Sequence, residues 1–152
     1  IESIRFDDEM YTCPTTTTKT YIIFLTFKFL FHRDRVGTLH KYKVDLFLAG
    51  HEHNYERMYD VYKNETTQTT TNPAHTIHII TGDAGGPEGH ETFTRPQPDL
   101  TAFRTDGFGY SQMTVYNDTH LLWEQRQGEF YSDRSFANAK VIDSFWLVQE
   151  NH

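Results

Sequence analysis

The chain has 152 residues, of which 37% are hydrophobic and 15% aromatic, enough apolar side chain for the packed core of one domain. Its formal net charge of −7, without a cluster of Lys and Arg, argues against nucleic acid and anionic membrane surfaces as partners. The single cysteine, Cys13, excludes an internal disulfide.

The first segment with a clear pattern is a strand that follows an irregular start. Residues 1–20 carry acidic residues, a Cys-Pro pair and a threonine tract, so we predict irregular structure there and a domain over residues 21–152. Residues 21–25 (YIIFL) are continuously apolar, as in a strand covered on both faces. The apolar run ends at His32, well short of the roughly 20 residues that span a bilayer, so we predict no membrane span. A start at Ile1 rather than Met indicates a processed or partial chain.

A helix and a second strand follow, and they lead into a loop that contains two histidines. Residues 36–43 predict a short helix, because Leu39 and Tyr42 share one face. Residues 44–49 (VDLFLA) predict a buried strand, and Gly-His-Glu-His-Asn at 50–54 follows directly. Strand, helix and strand in this order indicate a parallel α/β sheet, in which ligands bind beyond the carboxyl ends of the strands. The loop histidines therefore lie where such folds place their chemistry.

The rest of the chain is rich in predicted strands. Residues 63–74 are polar and rich in threonine, so we predict a surface loop there. The strands are predicted at residues 76–81, before a glycine-rich turn, at 108–116 and 119–127, as a hairpin, and at 141–149. We therefore expect an α/β or α+β fold that is β-rich with few helices.

The pair His51 and His53 carries the strongest chemical signal in the chain. Imidazoles at positions i and i+2 can bind two neighbouring metal ions, or both can bind one, and neutral imidazole suits zinc and iron. Gly50 before the pair lets the backbone turn sharply as it leaves the strand. With nine histidines in the chain, however, an H-x-H pair arises by chance about as often as not. The pair alone therefore leaves a chance occurrence open.

The longer string around this pair is far more specific. Residues 44–57 (VDLFLAGHEHNYER) resemble the last metal motif of the purple acid phosphatases, in which G-H-x-H-x-Y-E-R follows a strand of the V-D-L type. Residues 77–86 resemble the next strand and glycine turn of that family, and residues 107–121 resemble its C-terminal hairpin. The resemblance implies the C-terminal part of a metallophosphoesterase domain, a β-sandwich of two mixed sheets flanked by helices.

The resemblance also implies an activity and a set of site residues. The family hydrolyses phosphate monoesters at a dinuclear centre of Fe(III) plus Fe(II), Zn or Mn. By resemblance, His51 binds the divalent ion and His53 the ferric ion. The residues that follow are expected to orient these ligands through hydrogen bonds, and they are Asn54, Tyr55, Glu56 and Arg57.

Several features depart from the family pattern. The motifs G-D-x-G, G-D-x-x-Y and G-N-H-E, which supply the other ligands, do not occur before residue 44. Where a G-H-R-P-like turn is expected, Phe27 stands in place of the histidine, and His32 is a weak substitute because a metal site fixes ligand geometry. Residues 82–85 (GDAG) match the G-D-x-G pattern but follow the histidine pair in the chain. We therefore interpret Asp83 as a turn residue.

Two hypotheses follow. In the first, the chain is the C-terminal segment of an acid phosphatase whose other ligands come from a companion N-terminal segment. In the second, it is a truncated, inactive relative with a structural or interaction role. In both, half of the family fold exposes sheet edges and apolar faces, so we expect a companion segment or an oligomer to cover them.

Two sequons predict a secretory route. Asn64 and Asn117 each begin an Asn-x-Thr tripeptide, the acceptor for N-glycosylation. We therefore expect a secreted glycoprotein, located extracellularly or in lysosomes.

Overall fold

A computed structural model describes residues 22–25, 33–85, 88–130 and 136–150, with side chains from residue 36 onwards except at 130, 136 and 137. The elements in chain order are β1 (Ile22–Leu25), α1 (Arg33–Lys41), β2 (Leu46–Ala49), β3 (Tyr55–Asp60), β4 (Ile77–Thr81), β5 (Thr101–Thr105), β6 (Gly109–Val115), β7 (His120–Phe130) and β8 (Phe136–Val148). The predictions for residues 1–20, Cys13, Phe27 and His32 lie outside the described residues.

The first sheet is mixed and has the strand order β1-β2-β4-β3-β5. Strands β1, β2 and β4 are parallel, while β3 runs antiparallel to both of its neighbours, β4 and β5. The helix α1 connects the parallel strands β1 and β2, as the sequence predicted. It ends two residues earlier than expected, because Lys43 adopts a left-handed conformation with φ of 50° and turns the chain into β2.

The second sheet is antiparallel and has the strand order β6-β7-β8. The predicted hairpin is confirmed as β6 and β7, which pair from Gly109↔Gln127 to Val115↔Leu121. The last strand, β8, begins at Phe136, earlier than the predicted residue 141, since its first part pairs with the extended end of β7.

Strands β3 and β5 were not predicted. The sequence Tyr55–Asp60 (YERMYD) has neither a continuous apolar run nor a regular alternation of apolar and polar residues, and it has no β-branched side chain. β3 is a strand because it pairs with β4 on one side and β5 on the other. Tertiary pairing therefore outweighs a weak local preference here.

The two sheets pack face to face around one apolar core. Alternating residues of the first sheet meet alternating residues of the second, and the set is Leu46, Leu48, Tyr55, Ile77, Ile79, Leu121, Trp123, Phe145 and Leu147. The odd-numbered positions of β2, Phe47 and Ala49, face the other way and pack with Leu39 of α1. This arrangement confirms the predicted β-rich sandwich with few helices. Within the described ranges, no helix is long and apolar enough to cross a membrane.

Candidate metal centre

The loop 50–54 leaves the carboxyl end of β2 and enters β3 at Tyr55, so it lies at the edge predicted for ligand binding. His51 is exposed and has φ of 82°, a conformation that non-glycine residues rarely adopt. Such a conformation costs on the order of 1–3 kcal/mol and is concentrated at functional sites. The strain at His51 therefore points to a role for this side chain other than stability.

His53 is half-buried, and three hydrogen bonds to the segment 89–91 fix its position. Its ring Nδ1 lies 3.0 Å from the carbonyl oxygen of Gly89. The His53 amide donates to Glu91 Oε2 at 3.1 Å, and the Glu91 amide donates to the His53 carbonyl oxygen at 2.9 Å. A carbonyl only accepts, so Nδ1 donates this hydrogen bond, and in the neutral ring the lone pair then lies on Nε2. Metal-binding histidines commonly show this arrangement, in which a backbone carbonyl fixes the tautomer.

Gly82 packs closely against the backbone of the loop 50–54. Its amide donates to the carbonyl oxygen of Asn54 at 3.1 Å. A Cβ at position 82 would collide with the carbonyl oxygen of Glu52 and lie 2.9 Å from its carbonyl carbon. Glycine is therefore required here by the close approach of two backbones, which explains the glycine turn after β4. The side chain of Asn54 is buried, and its Oδ1 has no hydrogen-bond partner among the described residues.

Two carboxylates adjoin the histidines. A hydrogen bond with Glu52 lowers the pKa of Glu91, and the hydrogen bond from the His53 amide acts in the same direction. Both glutamates are exposed. The arrangement places negative charge beside the two imidazoles. Even so, the described part of the chain contains no group of three or more His, Cys, Asp or Glu positioned to hold a metal ion.

Tyr55 and Arg57 bind the second sheet. The Tyr55 hydroxyl donates to Asp143 Oδ2 at 2.9 Å and accepts from Trp123 Nε1 at 3.1 Å. Arg57 donates to both oxygens of Asp143, from Nε at 2.7 Å and from Nη2 at 2.8 Å. Burial raises the pKa of Tyr55, with the Asp143 charge adding to the effect, so this tyrosine remains a hydrogen-bond donor. These two residues anchor β3, and with it the end of the loop.

Glu56, the third residue of the predicted orienting set, faces away from this cluster. Its Oε1 accepts a short hydrogen bond from the Thr101 hydroxyl of β5. Sequence reasoning did not single out Asp143, the shared partner of Tyr55 and Arg57. The available signal was an acidic residue within the apolar run 141–149, since a carboxylate in a buried strand needs a cationic partner.

Asp83 is buried between the sheets. Its side chain is 1% exposed, and Oδ2 accepts a 2.5 Å hydrogen bond from Gln125 Nε2 of β7, while Oδ1 has no hydrogen-bond partner in the described part of the chain. Burial raises its pKa to about 6, against the opposing effect of hydrogen bonds. A Cβ at Gly109 would lie 2.6 Å from the same Oδ2, so a glycine is needed opposite this carboxylate. Asp83 thus follows β4 outside the strands, and its side chain links the two sheets.

Three comparisons with known proteins give a consistent result. Residues 75–144 match the family model described as iron/zinc purple acid phosphatase-like protein C. Acid phosphatase type 7 of Danio rerio is 39% identical over 118 residues, which are 74% of this chain and 25% of that protein. Fe(3+)-Zn(2+) purple acid phosphatase 12 of Arabidopsis thaliana is 35% identical over 117 residues, 71% of this chain and 23% of that protein. A purple acid phosphatase from yellow lupin (Lupinus luteus) seeds superposes with a TM-score of 0.62 at 30% identity, over 74% of this chain and 19% of that chain.

The matches agree with the β-rich, two-sheet fold. The chain spans about a quarter of the length of the curated relatives it matches. The family model covers the predicted glycine turn after β4 and the predicted hairpin, both within residues 75–144. The predicted resemblance is therefore confirmed: this chain is similar to the C-terminal part of the purple acid phosphatases.

Proposed function

We propose that His51 and His53 supply two imidazole ligands of a dinuclear metal centre that hydrolyses phosphate monoesters. The observation that carries the proposal is the 3.0 Å contact between His53 Nδ1 and the Gly89 carbonyl oxygen, which leaves Nε2 with a lone pair for a metal ion. The positive φ of His51 supports it, since the chain bears a strained backbone at this position.

The residues present fit half of such a centre. His51 is assigned to a divalent ion, Fe(II), Zn or Mn, and His53 to Fe(III); the matched Arabidopsis protein is named for Fe(3+) and Zn(2+). When bound, two metal ions neutralise charge on a phosphate ester and activate water near neutral pH. The chain itself holds the imidazoles, fixes the tautomer of His53 and places the Glu52 and Glu91 carboxylates beside them.

Two imidazoles fall short of the three or four protein ligands of ordinary metal sites. We propose that a companion N-terminal segment, or another chain, contributes the remaining ligands. The small share of the relatives' length that this chain spans supports this proposal. The substrate is then a phosphate monoester, bound between the loop 50–54 and the companion segment.

A second candidate function is a structural or interaction role without catalysis. The lack of a three-residue metal-binding group within the described residues favours it. Under this hypothesis His51 and His53 are retained from an active ancestor and hold no metal.

Metal content distinguishes the two candidates. Iron, zinc and manganese are measured per chain in purified, dialysed native protein and in the variants His51→Ala and His53→Ala, with His40→Ala in α1 as the control outside the loop and the segment 89–91. The proposal predicts close to two metal ions per chain, a loss of metal in both loop variants and no loss in the control. Essentially no metal in the native protein would contradict it and leave the structural role.

We further propose a secretory route, ending outside the cell or in lysosomes. The support is that both sequon asparagines, Asn64 and Asn117, are exposed. Mass spectrometry of native protein tests it, because attached sugar adds mass at these two sites. Unmodified asparagine at both positions would contradict the proposal.

A further inference from the structure

The outer face of the second sheet carries an exposed aromatic pair. Tyr116 is 59% exposed and Trp146 is 43% exposed, and their ring centroids lie 4.8 Å apart at an interplanar angle of 51°. Grouped aromatic rings at a surface indicate a binding face more often than a chance exposure. We refer to Tyr116 and Trp146 as the aromatic platform.

The platform lies beside a sequon whose amide is held in one orientation. Asn117 is exposed in the turn between β6 and β7. Its Oδ1 accepts from the Thr119 amide at 3.0 Å, from the Thr119 hydroxyl at 3.0 Å and from the His120 amide at 2.8 Å. These bonds engage the oxygen end of the amide. The nitrogen end, Nδ2, is the atom to which an N-linked sugar is attached.

His120 connects this amide to the platform. Its Nδ1 lies 3.2 Å from Asn117 Oδ1, and its ring meets Trp146 edge-on with centroids 6.4 Å apart. Tyr116 directly precedes Asn117 in the chain, and its amide bonds to the His120 carbonyl oxygen at 2.9 Å. The sequon and both rings are therefore parts of one ordered turn.

We propose that an N-linked glycan at Asn117 packs its first sugar on the Tyr116–Trp146 platform and stabilises the β6–β7 turn. A pyranose presents axial C–H bonds with partial positive charge, and these complement the negative face of an aromatic ring. The glycan covers the exposed apolar face, and its covalent attachment at the turn keeps it beside the rings. This inference rests on the secretory route proposed above.

The second sequon provides a matched control. Asn64 is also exposed, but the neighbouring ring of Tyr62 stacks on His40 with centroids 3.8 Å apart and an interplanar angle of 10°. The sequon hydroxyl, Thr66 Oγ1, donates to buried Asp60 at 2.9 Å instead of to its own asparagine. A sugar at Asn64 therefore has no comparable platform beside it.

Acrylamide quenching of tryptophan fluorescence measures the proposed contact. The chain has two tryptophans, and Trp123 is 2% exposed, so quenching reports almost entirely on Trp146. The secreted protein is compared in three forms: with intact glycans, with a single N-acetylglucosamine left by endoglycosidase, and without sugar in Asn117→Gln. Because the sugar would cover the exposed part of the Trp146 ring, we expect the intact and the single-sugar forms to show clearly less quenching than the bare form.

Controls separate this inference from the proposals on which it rests. Asn64→Gln should leave the quenching unchanged. Tyr116→Ser should weaken the protection of Trp146 by the sugar on Asn117. Mass spectrometry reports whether Asn117 carries sugar. Occupied Asn117 with unchanged quenching would overturn the platform but not the secretory route. Unoccupied Asn117 would overturn the platform, and unoccupied Asn64 in addition would overturn the secretory route. Protection of Trp146 that persists without sugar and grows with protein concentration would also overturn the platform proposal, since a second copy of the chain would then cover the rings.

Discussion

The two halves of the segment 50–57 differ in exposure, in backbone conformation and in the groups that hold them in place. In the first half, His51 is exposed with a strained backbone, and His53 is held mainly by backbone groups of residues 89 and 91. In the second half, Tyr55 is fully buried, and Arg57 forms two hydrogen bonds with Asp143 of the opposite sheet. One continuous motif therefore joins the two imidazoles of the loop to two side chains, those of Tyr55 and Arg57, that are bonded to the second sheet.

This difference shows why the motif is longer than its ligands. A metal ligand must be held within a narrow range of positions, and a loop achieves this only when its ends are fixed. The hydrogen bonds of Tyr55 and Arg57 fix one end, and the close approach of Gly82 supports the middle. Changes in the second half should therefore cost stability, while changes in the first half should cost metal binding.

The largest effect is expected from Asp143→Ala. The substitution leaves Arg57 and the Tyr55 hydroxyl without their partner between the sheets, and breaking a buried pair in this way costs about 3–5 kcal/mol. Urea unfolding measures the change. The control is Glu124→Ala, which removes the more exposed pair with Arg126 and should cost at most about 1 kcal/mol. Equal losses in the two variants would contradict the anchor role of Asp143.

A smaller loss is expected from Gly82→Ala. The added methyl group meets the backbone of Glu52, so the loop must shift, at a cost of about 1–3 kcal/mol. Metal content should fall as well, because the histidines move with the loop. The control is Gly37→Ala in α1, where a methyl group meets nothing within 4 Å and should stabilise the helix by up to about 1 kcal/mol. Full metal content in Gly82→Ala would contradict the supporting role of this glycine.

The pH dependence of stability should identify Asp83. Its pKa is about 6 in the folded protein, above the usual 3.8, so the folded state binds the proton more tightly. The stabilising contribution of protonated Asp83 to the free energy of unfolding is therefore complete below about pH 4, and it is lost as pH rises through about 6. Asp83→Asn should flatten the unfolding free energy across this range, as measured by denaturation at several pH values. A slope that persists in the variant would assign the dependence to another group.

The smallest change in stability is expected from His51→Gly, and its sign is opposite to the others. Glycine adopts a φ of 82° without strain, so the variant should be more stable by up to about 1 kcal/mol. The same variant should bind less metal, because it lacks one imidazole. Thermal unfolding and metal analysis together test this. A less stable His51→Gly would show that the side chain contributes to the fold.

The sequence predicted those elements whose local pattern agrees with their tertiary environment. The strands at residues 22–25, 46–49 and 77–81 are short apolar runs, and the hairpin is marked by a turn between two alternating segments. Strands β3 and β5 were missed because neither shows a continuous apolar run or a regular alternation, and both are paired by neighbours distant in sequence.

The candidate site was predicted only as far as the motif extends. His51 and His53 could be named because the string around them is specific, and Gly50 before them was expected to allow the turn. The supports come from elsewhere: Gly82 and Glu91 follow later, and Asp143 is 86 residues from Arg57. Such contacts depend on the packing of two sheets, and no local pattern encodes which residues meet there.

The most direct test of the account is the tautomer of His53, read from long-range nitrogen–proton NMR correlations of the imidazole rings during titration with zinc. The account predicts a proton on Nδ1, a lone pair on Nε2, and a zinc-dependent shift at Nε2 in the wild-type protein. A proton on Nε2, or an imidazole that does not respond to zinc, would contradict the claim that this loop presents a metal ligand.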